Sequence, residues 1–425
     1  MDVTILAVGT ELLFGQTVNT NASYLSKQLN DRGFNVMYHH VVGDNPNRLK
    51  RLLIHSLEDT DLVILTGGLG PTQDDLTKET VAEVFGRELL FDEECYRLLV
   101  EHFEQRGRKM AENNKKQAYI PEGATVFHND AGTAPAFAIE ADGKCAICLP
   151  GPPREVYWLF DHGVSDYLKR FHEKEMVYKV IRTIGIGESD LEMVLMPLID
   201  GQVDPTIATY AKEGECTLRV ASQRDTREEA EEAVDAMIRE IDKLIGEYIY
   251  SYEDTPLNEV VVHLLQKYSL NLTSAESATG GAFAKSVTDV PGASEIFTYG
   301  FVTYSAEAKE EILDVPEDII SKLGVVSKEV ALTMAAGALE RAGADIAVAV
   351  TGCAGPTADP GREPGEAYIA WMTGGRLPST SSCIHIETKR NERRWNRNYF
   401  CLRMLSSVYR VILNVEKEGL LPIQG

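Results

Sequence analysis

Asp61-Leu62-Val63-Ile64-Leu65 runs straight into Thr66-Gly67-Gly68-Leu69-Gly70-Pro71. Four consecutive apolar residues closed by a glycine-rich turn predict a strand buried on both faces, as in a parallel sheet covered by helices. The flanking sequence supports this. Val3–Val8 is a second short apolar run, and it ends at Gly9. Asn21–Leu29 reads as a helix, and Arg48–Leu57 repeats Leu49, Leu52, Leu53 and Leu57 at helical spacing. Asp74–Phe85, opening on acidic residues, predicts the next helix. Strand, glycine turn and helix in repetition give an α/β class with a parallel sheet.

The chain has 425 residues, enough for two or three domains. Its 42 Lys+Arg against 65 Asp+Glu leave a net charge of −23, which argues against nucleic acid and against an anionic membrane surface. No apolar run reaches a membrane span, and the N-terminus lacks the pattern of a signal peptide. Seven cysteines without framework spacing point to a reducing cytoplasm. Cys145-Ala146-Ile147-Cys148 could suggest zinc, but an apolar strand is the better reading.

Composition shifts near Leu149–Arg154. Beyond it, Tyr178–Ile184 and Cys216–Ser222 alternate as strands, and Glu188–Ile199 and Arg227–Ile245 read as helices: a small α+β module without a reactive constellation. A second α/β pattern starts at Leu257. It comprises a helix to Tyr268, a strand Leu270–Thr273, a turn Ala275–Gly281, a helix Ala282–Val287 and a strand Ala344–Val350 running into Thr351-Gly352-Cys353-Ala354-Gly355-Pro356. The boundaries expected are 1–168, 169–252 and 253–425.

Two constellations carry chemistry. Gly67, Gly68 and Gly70 at a strand's carboxyl end suit an anion, and Asp74 and Asp75 one turn on could hold a metal bridging phosphates. The same residues also suit a tight turn with an acidic helix cap. Glu11, Asn19, Asn21 and Asp44 end or follow predicted strands and could line the same rim. In the second constellation, Ser277 stands at a strand-to-helix turn before Thr279-Gly280-Gly281, a nucleophile beside free backbone N–H groups, or else a simple helix cap. If Ser305 caps a helix, Lys309 lies one turn in, near Tyr304, and a desolvated lysine can serve as base. No histidine lies in either segment. Lys389–Arg397 is the densest basic stretch; on a helix Arg390, Arg394 and Arg397 would share a face, for a phosphate, a solvated surface or a dimer contact.

Gly9-Thr10-Glu11-Leu12-Leu13, Gln16, Asn19-Thr20-Asn21, Val42-Gly43-Asp44, Thr66–Thr77, Asn129, Gly132–Pro135 and Leu149–Pro153 resemble the molybdopterin-binding-like, three-layer α/β domain of the CinA (competence/damage-inducible) family. The resemblance implies a metal-dependent ADP-ribose pyrophosphatase, and in molybdopterin-binding relatives the acidic residue matching Asp75 lies at the active site. Ala275–Gly281, Gly300–Lys309 and Thr351–Pro356 resemble the family's C-terminal domain, a nicotinamide mononucleotide amidohydrolase of the PncC type. It implies Ser277, Tyr304 and Lys309 as catalytic residues. Thr279–Gly281, or Thr351, Gly352, Ala354 and Gly355, would hold the oxyanion, and Arg390 and Arg394 the phosphate. The amidase would need no cofactor, and the pyrophosphatase a divalent metal. The expected ligands are nicotinamide mononucleotide and ADP-ribose, and a homodimer is expected. The other readings are mainly a pyrophosphatase with weak or lost amidase, or a non-catalytic nucleotide- or pterin-binding, competence-related protein. Ala278 replaces a common cysteine, Pro356–Tyr368 departs from the usual Lys-Pro-Val-Gly-Thr-Val-Tyr run, and Thr388-Lys389 stands for Gly-Asp. These departures bear on substrate preference.

Overall fold

The computed structural model describes residues 1–171, 174–358 and 361–421. It divides into two compact units, 1–178 with 222–233, and 179–221 with 234 onward.

In the first unit the strand Leu62–Thr66 is wholly buried at the middle of a six-stranded sheet. Asp2–Val8 runs parallel to it on one side and Lys144–Leu149 on the other, and Asn35–Val42 is the parallel outer strand. The sheet is not all parallel, however. Ala136–Ala141 and Thr125–Phe127 complete it antiparallel, joined by a tight return that needs no crossover helix. Alternation splits the apolar run between two cores. Leu62 and Ile64 pack on one face, Val63 and Leu65 on the other. Cys145 and Cys148 fall on opposite faces for the same reason, so they cannot chelate one ion together. The predicted helix Asp74–Phe85 begins later, at Thr77, and ends at Val84. Asp75 accepts from the N–H of Thr72 three residues back, which stabilises a turn rather than a helix over 72–75.

The middle segment forms a four-stranded sheet in the order Thr206–Ala211, Glu215–Arg224, Glu175–Ile184, Ile249–Ser251, with helices Glu188–Ile199 and Arg227–Ile245.

In the second unit the sheet order is Phe297–Val302, Leu272–Glu276, Ile346–Cys353, Glu366–Thr373, Thr380–Glu387, with the first three strands parallel and the rest antiparallel. Ile346, Val348 and Val350 point to the core that holds the long helix Arg393–Lys417. Each such buried side chain contributes about 1.5–3 kcal/mol. Ala347 and Ala349 point to the other face, where the small residues Ala331, Ala335 and Ala338 bring the helix Lys328–Ala342 close. Two expected boundaries move. The strand predicted over Leu270–Thr273 is Leu272–Glu276, so Ala275 and Glu276 belong to the strand rather than the turn. Thr351, Gly352 and Cys353, predicted as loop, continue the strand because they pair with Tyr368, Ala367 and Glu366.

Candidate active site

Ser277 follows the last residue of the strand Leu272–Glu276. Its N–H donates to the Val350 carbonyl at 3.1 Å, and its carbonyl accepts from Gly280 N–H at 3.0 Å, closing a turn. Gly281, at φ +90°, then starts the helix Ala282–Thr288 from a left-handed conformation that glycine adopts freely. The turn is fastened from inside. The wholly buried carboxylate of Glu276 accepts from the N–H groups of Gly281 (3.0 Å), Phe283 (3.0 Å) and Ala284 (2.8 Å). Those are unpaired donors of the helix start, so an anion is well placed there. Among the described residues, the N–H groups of Ala278 and Thr279 donate to no partner and stay available beside Ser277.

Lys309 reaches Ser277 from the helix Ala306–Leu313. Ser305 caps that helix by accepting from Ala308 N–H at 3.1 Å. The Lys309 amine is buried, 3.0 Å from Ser277 Oγ. It donates to the carbonyls of Thr303 (2.8 Å), Tyr304 (3.3 Å) and Ser305 (3.3 Å). Burial disfavours its charged form and pushes its pKa from 10.5 down to about 8, with Glu307 opposing the shift slightly. Tyr304 takes a different place from a shared proton relay. Its side chain is 60% exposed, and its hydroxyl accepts from Arg393 Nη2 at 2.8 Å. Its backbone carbonyl accepts from the Lys309 amine.

Ser277, Lys309 and Tyr304 line one cavity of about 480 Å³ with Thr351–Gly355, Arg362 and Arg393. That size suits a small organic ligand. Gly352 sits where two strands part. Since Val350 C=O points toward Ser277, strand alternation points the Gly352 N–H the same way, beyond the last paired residue Glu276. A Cβ on Gly352 would lie 2.6 Å from the Ala367 Cβ and 2.7 Å from the Glu366 carbonyl, so only glycine fits. Asn396, buried, donates to the Ala354 carbonyl at 3.0 Å, and Arg397 Nη2 donates to the Thr279 carbonyl at 2.6 Å, tying both loops to the long helix.

The predicted arginine face needs correcting. The helix starts at Arg393, so Arg390 lies before it and cannot share a helical face with Arg394. Arg390 packs its guanidinium 4.1 Å over the Trp395 ring, and Arg394 is exposed; neither lines the cavity. Arg393 does, one residue from the predicted position. In the departing loop, Asp359 and Pro360 lie outside the described residues.

In the first unit a cavity of about 370 Å³ is lined by Glu11, Asp44, Gly67, Gly68, Gly70, Asp75 and Glu155. A Cβ on Gly67, at φ +99°, would lie 2.2 Å from the Val8 carbonyl, which explains the glycine. Among the described residues, the N–H groups of Gly68, Leu69 and Gly70 carry no hydrogen bond. Asp44 Oδ2 accepts from Thr10 N–H (2.9 Å) and Oγ1 (2.7 Å); Asp75 Oδ2 accepts likewise from Thr72 (2.9 and 2.7 Å). Each keeps its second oxygen. Asp74 is exposed and lies outside the cavity lining. Asn19 caps the helix Thr20–Asn30, and Asn21 donates to the Gly151 carbonyl at 2.7 Å, so both shape the rim from behind. No three His, Cys, Asp or Glu side chains among the described residues converge into a ready-made cage. Donors of this kind still fit a magnesium-class cation, which takes one or two carboxylates, substrate phosphates and water.

Glu276, Arg362, Arg393 and Asn396 were not singled out from the sequence. Glu276 carried a usable signal: an acidic residue five positions before a Gly-initiated helix. Arg393 lay inside the basic stretch Lys389–Arg397, where nothing set it apart from its neighbours, and Arg362 carried no signal, because its place depends on long-range pairing.

Three family models match the chain: "Probable molybdopterin binding domain" over residues 4–170, "Damage-inducible protein CinA KH domain" over 178–251, and "CinA C-terminal domain" over 254–410. A Caldicellulosiruptor saccharolyticus protein named for competence-damage induction is 47% identical over 376 residues, covering 88% of this chain and 92% of its own length. A CinA-like protein of Dictyoglomus thermophilum is 47% identical over 374 residues, covering 88% and 91%. The crystal structure of a Thermoplasma acidophilum protein, CinA with unknown function, is 34% identical with a TM-score of 0.37, covering 39% of this chain and 98% of that one.

Proposed function

The chain belongs to the CinA family, and from that premise we propose that its second unit hydrolyses the carboxamide of nicotinamide mononucleotide, giving nicotinate mononucleotide and ammonia. The observation that carries this reading is the buried Lys309 amine 3.0 Å from Ser277 Oγ, with its pKa lowered to about 8. A neutral amine has two N–H bonds and one lone pair. The Thr303 carbonyl takes one N–H bond and the more distant carbonyls of Tyr304 and Ser305 share the other, which leaves the lone pair for the Ser277 proton.

Ser277 Oγ attacks the amide carbon while its proton passes to Lys309 Nζ. The carbonyl oxygen becomes an oxyanion beside the N–H groups of Ala278, Thr279 and Gly352. Lys309 returns the proton to the leaving nitrogen, and ammonia departs. Water, deprotonated by the same amine, then attacks the acyl-Ser277 ester; the C–Oγ bond breaks, Lys309 returns that proton to Ser277 Oγ, and the carboxylate is released. Tyr304 anchors Arg393 at the cavity wall. The test is release of ammonia and nicotinate mononucleotide with and without EDTA, for the wild type and Ser277→Ala. Turnover that survives EDTA and disappears in the variant supports the serine amidase; turnover retained in Ser277→Ala overturns it.

A second activity rests on the first unit. The free N–H groups of Gly68, Leu69 and Gly70 beside the carboxylates of Asp44 and Asp75 suit the diphosphate of ADP-ribose. A bound divalent cation would supply charge neutralisation at that diphosphate, held by Asp75 and Asp44. In this reading Gly68–Gly70 orient the phosphates, and Glu155, whose carboxyl burial holds above its usual range, lines the same cavity. Loss of ADP-ribose cleavage in Asp75→Asn, with amide hydrolysis intact, is the expected result. Small nucleotides, rather than nucleic acid, are the partners proposed. The KH-type segment 178–251 contains no Gly-x-x-Gly, the loop that clamps a nucleic-acid backbone.

A further inference from the structure

The geometry points to Arg362 and Arg393 as a two-guanidinium clamp that selects a phosphate monoester in the Ser277 cavity; this rests on the amidase reading above and adds its substrate determinant. A chain of net charge −23 repels anions at long range, so a phosphorylated substrate needs a built local site. Both arginines line the cavity that holds Ser277 and Lys309.

Each is held in place before any ligand arrives. Arg393 donates through Nη1 to the Gly355 carbonyl and through Nη2 to the Tyr304 hydroxyl, both at 2.8 Å. Arg362 donates through Nη1 to Glu366 Oε1 at 2.6 Å and sits 5.6 Å over the Tyr368 ring. Glu366, 12% exposed, is steadied in turn by His385 Nε2 at 3.1 Å, and the His385 ring stacks on Tyr368 at 4.5 Å. Among the described residues, the Nε and Nη2 edge of Arg362 carries no hydrogen bond. One guanidinium edge is therefore used for anchoring and the other is left for an anion, with little side-chain ordering left to do on binding. Glu366 acts here as a positioning residue.

The test separates the phosphate from the rest of the ligand. Full-length wild type, Arg362→Gln, Arg393→Gln, Arg390→Gln and Arg394→Gln are titrated by calorimetry with nicotinate mononucleotide and with nicotinate riboside, which lacks only the phosphate. The wild type should bind the mononucleotide about 10- to 100-fold more tightly, the worth of charge-assisted bonds to phosphate. Arg362→Gln and Arg393→Gln should each lose about tenfold for the mononucleotide and less than about twofold for the riboside, whereas Arg390→Gln and Arg394→Gln should match the wild type. Equal losses for both ligands would mean a structural role and overturn the clamp, as would phosphate selectivity lost in Arg390→Gln or Arg394→Gln instead. Binding needs no turnover. Selectivity lost in the clamp variants with no amide hydrolysis by the wild type upholds the clamp and removes the amidase reading; hydrolysis without clamp dependence does the reverse.

Discussion

Removing the base function of Lys309 while keeping its bulk is the sharpest perturbation available. At pH 7 an ordinary lysine of pKa 10.5 is neutral in about 0.03% of molecules, whereas one at about 8 is neutral in about 9%, so burial raises the population of competent base about 300-fold. The same shift corresponds to about 3 kcal/mol of disfavoured charge, which the fold carries at this one position. The sign follows directly. The group is active when deprotonated, so kcat/KM should rise tenfold per pH unit below about 8 and level off above it. Lys309→Met keeps an unbranched apolar stem and should cost about 10²–10⁴ in kcat, the usual contribution of general base catalysis. Lys309→Arg keeps a cation that does not deprotonate and should be equally inactive. The assay is ammonia release from pH 6 to 9.5, with thermal melting of each variant as the folding control. Lys309→Met should melt at or above the wild-type temperature, because a desolvated amine has been removed. A flat wild-type profile, or a Lys309→Arg variant retaining more than about a tenth of the activity at pH 7, would refute Lys309 as the base.

Three further outcomes are expected. Gly352→Ala forces a Cβ to within 2.6 Å of Ala367 and 2.7 Å of the Glu366 carbonyl, so it should destabilise the second unit by about 1–3 kcal/mol and depress kcat, read by denaturant melts and turnover. Glu276→Gln keeps the shape but weakens three bonds to the helix start; a loss of about 1–2 kcal/mol and a kcat effect larger than the KM effect are expected, because the turn bearing Ser277 loosens. Gly67→Ala should destabilise the first unit, since its Cβ would lie 2.2 Å from the Val8 carbonyl, and should impair ADP-ribose cleavage while leaving amide hydrolysis intact.

How much of this was readable in the chain depended on how local the cause was. The helices Glu188–Ile199 and Arg227–Ile245 were legible to the residue, because helix propensity and periodicity act over a few positions. Ser305 as a cap, with Lys309 one turn later, was legible for the same reason. The start of the helix at Thr77 was not, since Asp75 prefers a local bond to Thr72 over the helix that its acidic neighbours suggest. The strand ends at Glu276 and Cys353 were also missed: pairing with a distant strand, not composition, extends them.

Sequence alone determined the class of the fold and the pieces of its chemistry. Buried four-residue runs before glycines leave few alternatives to α/β sheets, and Ser277, Lys309 and Gly67–Gly70 stand out by residue type and spacing. Only the tertiary structure decided which pieces meet. Lys309 lies 32 positions from Ser277, yet its amine stops 3.0 Å from the hydroxyl. Arg393 rather than Arg390 faces the cavity because the helix happens to begin there. The buried site also lowers a lysine pKa that no spacing could foretell, since desolvation is a property of the surroundings and not of the residue.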